Sequence, residues 1–287
     1  MTVRSLLAQG YDTLFYAEVE TPLLDALLLL AHAMGSSKEK LLASLPDPVG
    51  VEVEASFHAL IDRRCAGTPV SYIRRSKEFY GLDFYVDERV LVPRPDTETL
   101  VEKVLDLLRA EPGLRRVHDA CAGSGCVGIA LQRTRPELEV SASDVSPAAS
   151  EVIGLNSTRL LGRALPFFLS DLLAAVPGPF DVIAANPPYL TDEEVSGMRK
   201  IGWPEPEIAL RGGTDGTAVA AGLIRSAPAK LAPGGWLALE SAPAQFTRLF
   251  ALMDQAGFRS LSVEKDLAGR DRVIAGWLPT PPAAPSS

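Results

Sequence analysis

Asn186, Pro187, Pro188 and Tyr189 close the apolar run in FDVIAANPPYLTDEE, Phe180 to Glu194, and their types are able to do chemistry. Asn-Pro is a turn signal and proline has no backbone N–H to continue a ladder, so the run reads first as a terminated strand. The same feature has a second meaning. A residue before proline is pushed toward extended geometry, and Pro187 is itself followed by proline, so a carboxamide and a proline carbonyl are held with little freedom. A second group is DACAGSGCVG, Asp119 to Gly128, in which Gly123, Gly125 and Gly128 fit G-x-G-x-x-G. Glycines there let the backbone approach a ligand closely, with a helix N-terminus behind it. Asp144 follows at close to the expected spacing of about 20 residues, where it can accept hydrogen bonds from ribose hydroxyls. Asp171, in SDLL, is an acceptor placed to meet an adenine amino group. Singly each acid could be a turn or cap residue. Together they point to a nucleoside-type cofactor, and the loop alone leaves open a nicotinamide dinucleotide or S-adenosylmethionine.

These residues need strands that end side by side. From Arg115 onward the pattern alternates: strand RRVHDA, a helix over Val127 to Arg133, strand LEVSASD, a helix over Pro147 to Leu161, then strands PFFLSD and FDVIAAN. A helix near Thr217 to Leu231, strand GGWLALES, a helix over Ala244 to Ala256 and strands near Ser260 to Val263 and Arg272 to Trp277 complete it. Such alternation predicts an α/β fold whose mostly parallel sheet is covered on both faces by helices, with ligands at the carboxyl ends of the strands. Upstream, apolar residues recur at helical spacing from Val3 to about Arg75, as in Leu23, Leu24, Leu27, Leu28 and Ala31. The segment EFYGLDFYVDERVLVP, Glu78 to Pro93, reads as a strand pair. The expected organisation is a helical domain over 1–75, a β-hairpin linker over 76–95, a catalytic domain over 96–278 and a disordered tail over 279–287.

Composition removes other classes. A net charge of −8 argues against a chain that coats a phosphate backbone, so no direct nucleic-acid binding is expected. Cys65, Cys121 and Cys126 form no CxxC pair, and with no secretory leader they read as reduced thiols of a cytoplasmic protein. His32, His58 and His118 lack metal-ligand spacing, so no metal site is expected. The apolar segment Pro22 to Gly35 is interrupted by Asp25 and is shorter than the roughly 20 residues a bilayer needs, so it reads as a buried helix.

At the glycine loop, the acids and NPPY, the chain resembles the HemK/PrmC family, S-adenosylmethionine-dependent protein-glutamine N5-methyltransferases that act on peptide chain release factors. The resemblance also rests on TPVSYI (Thr68 to Ile73), EFYGLDFYVDERVLVPRPDTE (Glu78 to Glu98), PEPEIAL-GG-DG (Pro204 to Gly216) and DLAGRDRVIAG. NPPY alone is shared with amino-directed DNA methylases; the combination is more specific. The resemblance implies a seven-stranded Rossmann-like methyltransferase sheet, mostly parallel with the last strand antiparallel, beside a small helical substrate-recognition domain. It implies S-adenosylmethionine as cofactor and the Gly-Gly-Gln loop of a release factor as partner. The cofactor loop then falls on Cys121, Ala122, Gly123, Ser124 and Gly125, the ribose acid on Asp144, the adenine side on Asp171 and Leu172, and the substrate box on Asn186 to Tyr189. Cys121 stands where the family usually has glycine, Leu172 where an aromatic is common, and Glu240-Ser241-Ala242 where Glu-Ile-Gly is usual.

An amide nitrogen is a poor nucleophile because its lone pair is delocalised, so the enzyme's task is positioning, which can contribute ~7–11 kcal/mol. The Asn186 side-chain oxygen and the Pro187 carbonyl can accept the two amide hydrogens, and Tyr189 offers a flat face to the planar amide. Asn186, Pro187 and Tyr189 are therefore the expected catalytic residues, and Pro188 completes the substrate box. Arg94 and Glu98, in VPRPDTE, read either as ordering a substrate loop or as a solvated ion pair. Competing readings are N6-methylation of adenine in DNA or RNA, glutamine methylation of a ribosomal protein, a nicotinamide oxidoreductase, and a binding module without turnover.

Overall fold

A computed structural model describes residues 1–280, so all but Pro279 and Thr280 of the expected disordered tail lies outside the described residues. The chain divides into two units, Met1–Ser76 with Gly202–Pro204, and Lys77–Ile201 with Glu205 onward. In the first unit, helices α1 (Val3–Tyr16), α2 (Pro22–Ala33), α3 (Lys38–Ala43), α4 (Val51–Cys65) and α5 (Val70–Arg74) enclose a core of Leu6, Leu14, Leu29, Leu30, Phe57 and Ile61. A capping box between Thr2 and Ser5 starts α1. Gly10 lets α1 close on α4, since a Cβ there would lie 2.3 Å from Cζ of Phe57. Asp25, buried in α2, accepts from Arg64 Nε at 2.7 Å and from the Thr21 hydroxyl at 2.9 Å, which offsets its desolvation. The expectation of a wholly buried helix here needs correction. Leu23 and Leu24 are 58% and 48% exposed, because helical rotation turns the face of Ala26, Leu29 and Leu30 inward and those two leucines out.

The second unit opens with a hairpin, β1 (Lys77–Phe79) and β2 (Leu82–Phe84), joined at Tyr80 and Gly81, both with positive φ as a type I′ turn requires. The strand pair is shorter than the sequence suggested, and the cause is where the backbone groups go. The N–H of Tyr85 donates to Asn156 Oδ1 at 2.7 Å, and that of Val92 to Glu205 Oε1 at 3.0 Å, so side chains replace a ladder.

Beyond the hairpin the elements are α6 (Glu98–Ala110), β3 (Arg116–Ala120), α7 (Cys126–Thr134), β4 (Glu139–Asp144), α8 (Pro147–Leu161), β5 (Phe167–Leu169), β6 (Phe180–Ala185) and α9 (Asp192–Lys200). Then follow α10 (Ala218–Ser226), β7 (Leu231–Glu240), α11 (Phe246–Gln255), β8 (Arg259–Lys265) and β9 (Asp271–Trp277). The seven strands after the hairpin form one sheet in the order β5-β4-β3-β6-β7-β9-β8, parallel except for β9, the last strand among the described residues. One core packs Ile183, Leu237, Leu239 and Ile274 against Leu223 and Ile224 of α10 and Leu249 and Met253 of α11. Helix α6 buries Leu100, Val101, Val104, Leu105 and Leu108, an apolar stripe at helical spacing.

β4 and β5 lie on one side of β3, whereas β6 pairs with its other side. The strand order reverses there, which opens a crevice at the carboxyl ends of β3 and β6. Ala120 and Ala185 are partners in the parallel register, so the glycine loop and NPPY leave the sheet side by side although 65 residues separate them in sequence. His118 does not reach this crevice. It is buried between Ser141 Oγ at 2.9 Å and Ser143 Oγ at 2.8 Å and stacks on Phe180, and burial lowers its pKa to about 4.

Candidate active site

At the carboxyl ends of β3, β4 and β6 a cavity of about 730 Å³ is lined by Asp119, Cys121 to Ser124, Asp144, Asp171, Leu172, Asn186 and Pro188. Nine of the residues picked from sequence thus meet on one wall, and Asp119 joins them; Gly125, Pro187 and Tyr189 do not line it. Gly125 is the N-cap of α7 with φ +78°, which turns the loop into the helix. Pro187 is buried and Tyr189 is half-buried.

Asp119, first residue of DACAGSG, is fully buried. Its Oδ2 accepts the Gly128 N–H at 2.8 Å, and a Cβ on Gly128 would stand 3.1 Å from that oxygen, so the third glycine permits the contact. Its Oδ1 has no partner. Burial raises its pKa to about 7, opposed by the Gly128 N–H and assisted by the Asp144 charge. Asp144 braces the loop, since Oδ2 accepts from Gly123 N and Oδ1 from Ser146 N, each at 2.9 Å. Burial still raises its pKa against those bonds. Asn156 of α8 adds a brace, donating from Nδ2 to the carbonyls of Tyr85 and Ser124, both at 3.0 Å. Cys121 and Leu172 have φ +56° and +49°, the left-handed region that glycine occupies without cost. Burial, then Asp144, pushes the Cys121 thiol up, so it stays protonated and is no nucleophile. Leu172 packs on α10, its Cδ1 lying 2.5 Å from where a Cβ of Gly222 would be.

Asn186 donates from Nδ2 to Thr97 Oγ1 at 3.1 Å. Thr97 ends the short turn Pro95–Thr97 that starts α6, and it also lines the cavity. The Tyr189 carbonyl accepts from Gln245 Nε2 at 2.8 Å, and Gln245 is set by the Ser241 hydroxyl, which donates to its Oε1. The segment PEPEIAL-GG-DG closes over the same loop. Leu190 N donates to Leu210 O at 2.9 Å and Gly212 N to Leu190 O at 2.7 Å. A Cβ on Gly212 would lie 2.7 Å from the Pro188 oxygen, and one on Gly216 2.3 Å from the Tyr189 oxygen, so only glycine fits. Arg94 pairs with Glu205 of this segment, whereas Glu98 accepts the Tyr80 N–H at 2.9 Å; the two do not pair with each other.

The charges give the cavity a sign. Arg89, Arg94 and Arg211 line it but are tied to Asp87, Glu205 and Asp192. The carboxyls of Asp119 and Asp144 accept from backbone N–H groups, and Asp119 Oδ1 from nothing, so with Asp171 beside them the wall favours a cationic ligand with hydroxyl and amino donors. Sequence spacing found Asp144 and Asp171. It offered no signal for Thr97, Asn156 or Gln245, whose partners are set by tertiary contacts.

Residues 5–74 match the family of the PrmC N-terminal domain and residues 96–200 that of the methyltransferase small domain. The chain is 38% identical to a release factor glutamine methyltransferase of Cereibacter sphaeroides, over 97% of this chain and 99% of that one. It is 36% identical to that of Deinococcus radiodurans, over 96% and 98%. Among solved structures it is similar in fold to a 16S rRNA N2 methyltransferase of T. thermophilus in complex with AdoMet and guanosine, with a TM-score of 0.53 and 22% identity over 71% of this chain and 49% of that one.

Proposed function

Because the chain belongs to the release factor glutamine methyltransferase family, we propose that it transfers a methyl group from S-adenosylmethionine to the side-chain nitrogen of the glutamine in the Gly-Gly-Gln motif of a peptide chain release factor. The observation that carries this reading is Asn186. Its carboxamide donates to Thr97, and the residue lines the cavity that the acids share. An amide acceptor beside a cation-favouring cavity suits a nucleophile that must give up two N–H hydrogens to be aligned.

The residues fit the cofactor. Asp119 Oδ1 is a buried acceptor without a partner, suited to an ammonium group, and Asp144 at the end of β4 suits ribose hydroxyls. Asp171 and Leu172 at the cavity wall suit the adenine, and Cys121 to Gly125 the remainder. When bound, S-adenosylmethionine supplies a methyl on a sulfonium centre that leaves as a neutral thioether. The chain's own part is to hold the glutamine amide. Asn186 Oδ1 and the Pro187 carbonyl accept its hydrogens, and the two prolines with Gln245, Gly212 and Gly216 keep both acceptors still. These dipoles stabilise positive charge as it grows on nitrogen, which then loses a proton to water. In this reading the helical unit recognises the release factor, and methylation of a translation factor suits a cytoplasmic setting.

The test is transfer of labelled methyl to a purified release factor, beside a copy whose Gly-Gly-Gln glutamine is alanine, with DNA as a third substrate. Label on the intact factor alone is expected. Label on DNA alone would replace the reading with adenine methylation, and label on neither would sink both.

A further inference from the structure

Thr97 can donate or accept, so its 3.1 Å contact with Asn186 Nδ2 does not by itself decide which end of the carboxamide faces the cavity. A third residue decides it. Ala185 pairs with Leu239 in the parallel register of β6 and β7, which brings Glu240 level with Asn186. Glu240 is fully buried, and neither of its carboxylate oxygens has a hydrogen-bond partner. Thr97 is buried as well, and its hydroxyl favours the charged form of Glu240. A buried carboxylate with two free oxygens is the strongest acceptor within reach of that hydroxyl.

We infer that Glu240 and Thr97 are positioning residues that turn the Asn186 carboxamide so that its oxygen faces the methyl acceptor. The ionised carboxylate draws the Thr97 proton toward itself. Thr97 then presents only lone pairs to Asn186, whose NH2 end must turn to it, leaving Oδ1 toward the cavity. The inference rests on methyl transfer to an amide held by Asn186.

The relay has a protonation state. Burial pushes the Glu240 carboxyl up to about 7, against the Thr97 hydroxyl and the Arg272 charge, with Asp96 adding to the rise. Facing it are Arg272 of β9, Asp96 and Thr97 before α6, Tyr189 after β6 and Cys126 of α7. Arg272 and Asp96 pair at 2.9 Å, while burial pushes the Cys126 thiol up to about 12 and raises the Tyr189 hydroxyl. Glu240 is therefore the group among them that titrates near neutrality. Once protonated, it donates to Thr97, whose own proton is then free for Asn186 Oδ1, and the carboxamide turns its NH2 end to the substrate.

Two measurements test this. Nitrogen-15 spectra follow the Asn186 side-chain amide, assigned by its absence in N186D. In the unsubstituted protein it shifts with pH near 7, and in E240Q and T97V it does not. A flat response in the unsubstituted protein overturns the relay, whether or not the enzyme turns over. In kinetics, T97V is expected to lower kcat roughly 10- to 100-fold with the cofactor Kd unchanged, while T97S restores it to within about threefold. E240Q combined with T97V should be no slower than T97V alone, since the two act in series. Additive losses, or full activity in T97V, would refute the inference. A titrating amide in a protein that methylates no release factor would keep the relay and sink the functional reading.

Discussion

Gln245 Nε2 lies 2.8 Å from the carbonyl oxygen of Tyr189, and Ser241 fixes that orientation by donating to the other end of the same carboxamide. A residue at the foot of α11 thereby holds the loop that carries Asn186.

Gln245→Leu should leave the Tyr189 carbonyl and the Ser241 hydroxyl unpaired in a buried site. Stability is expected to fall by about 1–3 kcal/mol in urea melts. Loosening of the loop should lower kcat by roughly 10- to 100-fold. Equal stability and activity would show that the clamp is idle.

Asn186→Ala removes the acceptor and leaves the glycine loop untouched. Turnover on the release factor should drop by roughly 10²–10³-fold, the cost of one transition-state hydrogen-bonding group. Calorimetry should find the cofactor Kd little changed. Normal turnover would end the proposed acceptor role.

Cys121 holds φ +56° next to the cofactor wall. Cys121→Gly removes about 1–2 kcal/mol of left-handed strain but gives back part of it as backbone entropy, so the melting free energy should move by less than about 1 kcal/mol. Cys121→Val, branched at Cβ, should destabilise by more than about 2 kcal/mol and weaken cofactor binding. The order of the two variants is the check; a valine as stable as the glycine contradicts the strain argument.

Asp119 gives stability a pH signature. Its folded pKa is raised from 3.8 to about 7, so over that window the folded chain holds a proton the unfolded chain has released. Stability from this group is greatest below the lower value and is lost as pH rises through the upper one. Glu240 acts in the same direction, whereas His118, lowered to about 4, gains stability as pH rises from 4 toward 6.5. The difference between wild type and Asp119→Asn isolates the effect: the variant should gain on the order of 3–4 kcal/mol relative to wild type between pH 4 and 8 in ligand-free melts. A constant difference would mean Asp119 is ionised throughout.

Much of the site was legible because strand ends announce themselves. The glycine spacing, Asp144 at the next strand end and Asn186 before two prolines each follow an apolar run, and a parallel sheet gathers such ends. What could not be read depends on register and on long-range side chains. Thr97 and Gln245 matter only because α6 and α11 start where they do, and the hairpin was overextended because Asn156 and Glu205 take backbone N–H groups that the β-rich sequence between Tyr85 and Val92 seemed to reserve for a strand. Arg94 was set beside Glu98 by sequence proximity, but its carboxylate comes from 111 residues away.

The unpartnered Oδ1 of Asp119 has one more consequence. A carboxyl poised near neutrality must be ionised to receive a cationic group, so ligand capture at pH 7 should release a fraction of a proton. The heat of binding would then depend on the ionisation enthalpy of the buffer, with a slope equal to that fraction. In Asp119→Asn the slope should vanish, which makes this oxygen visible as a counter of protons rather than as a contact.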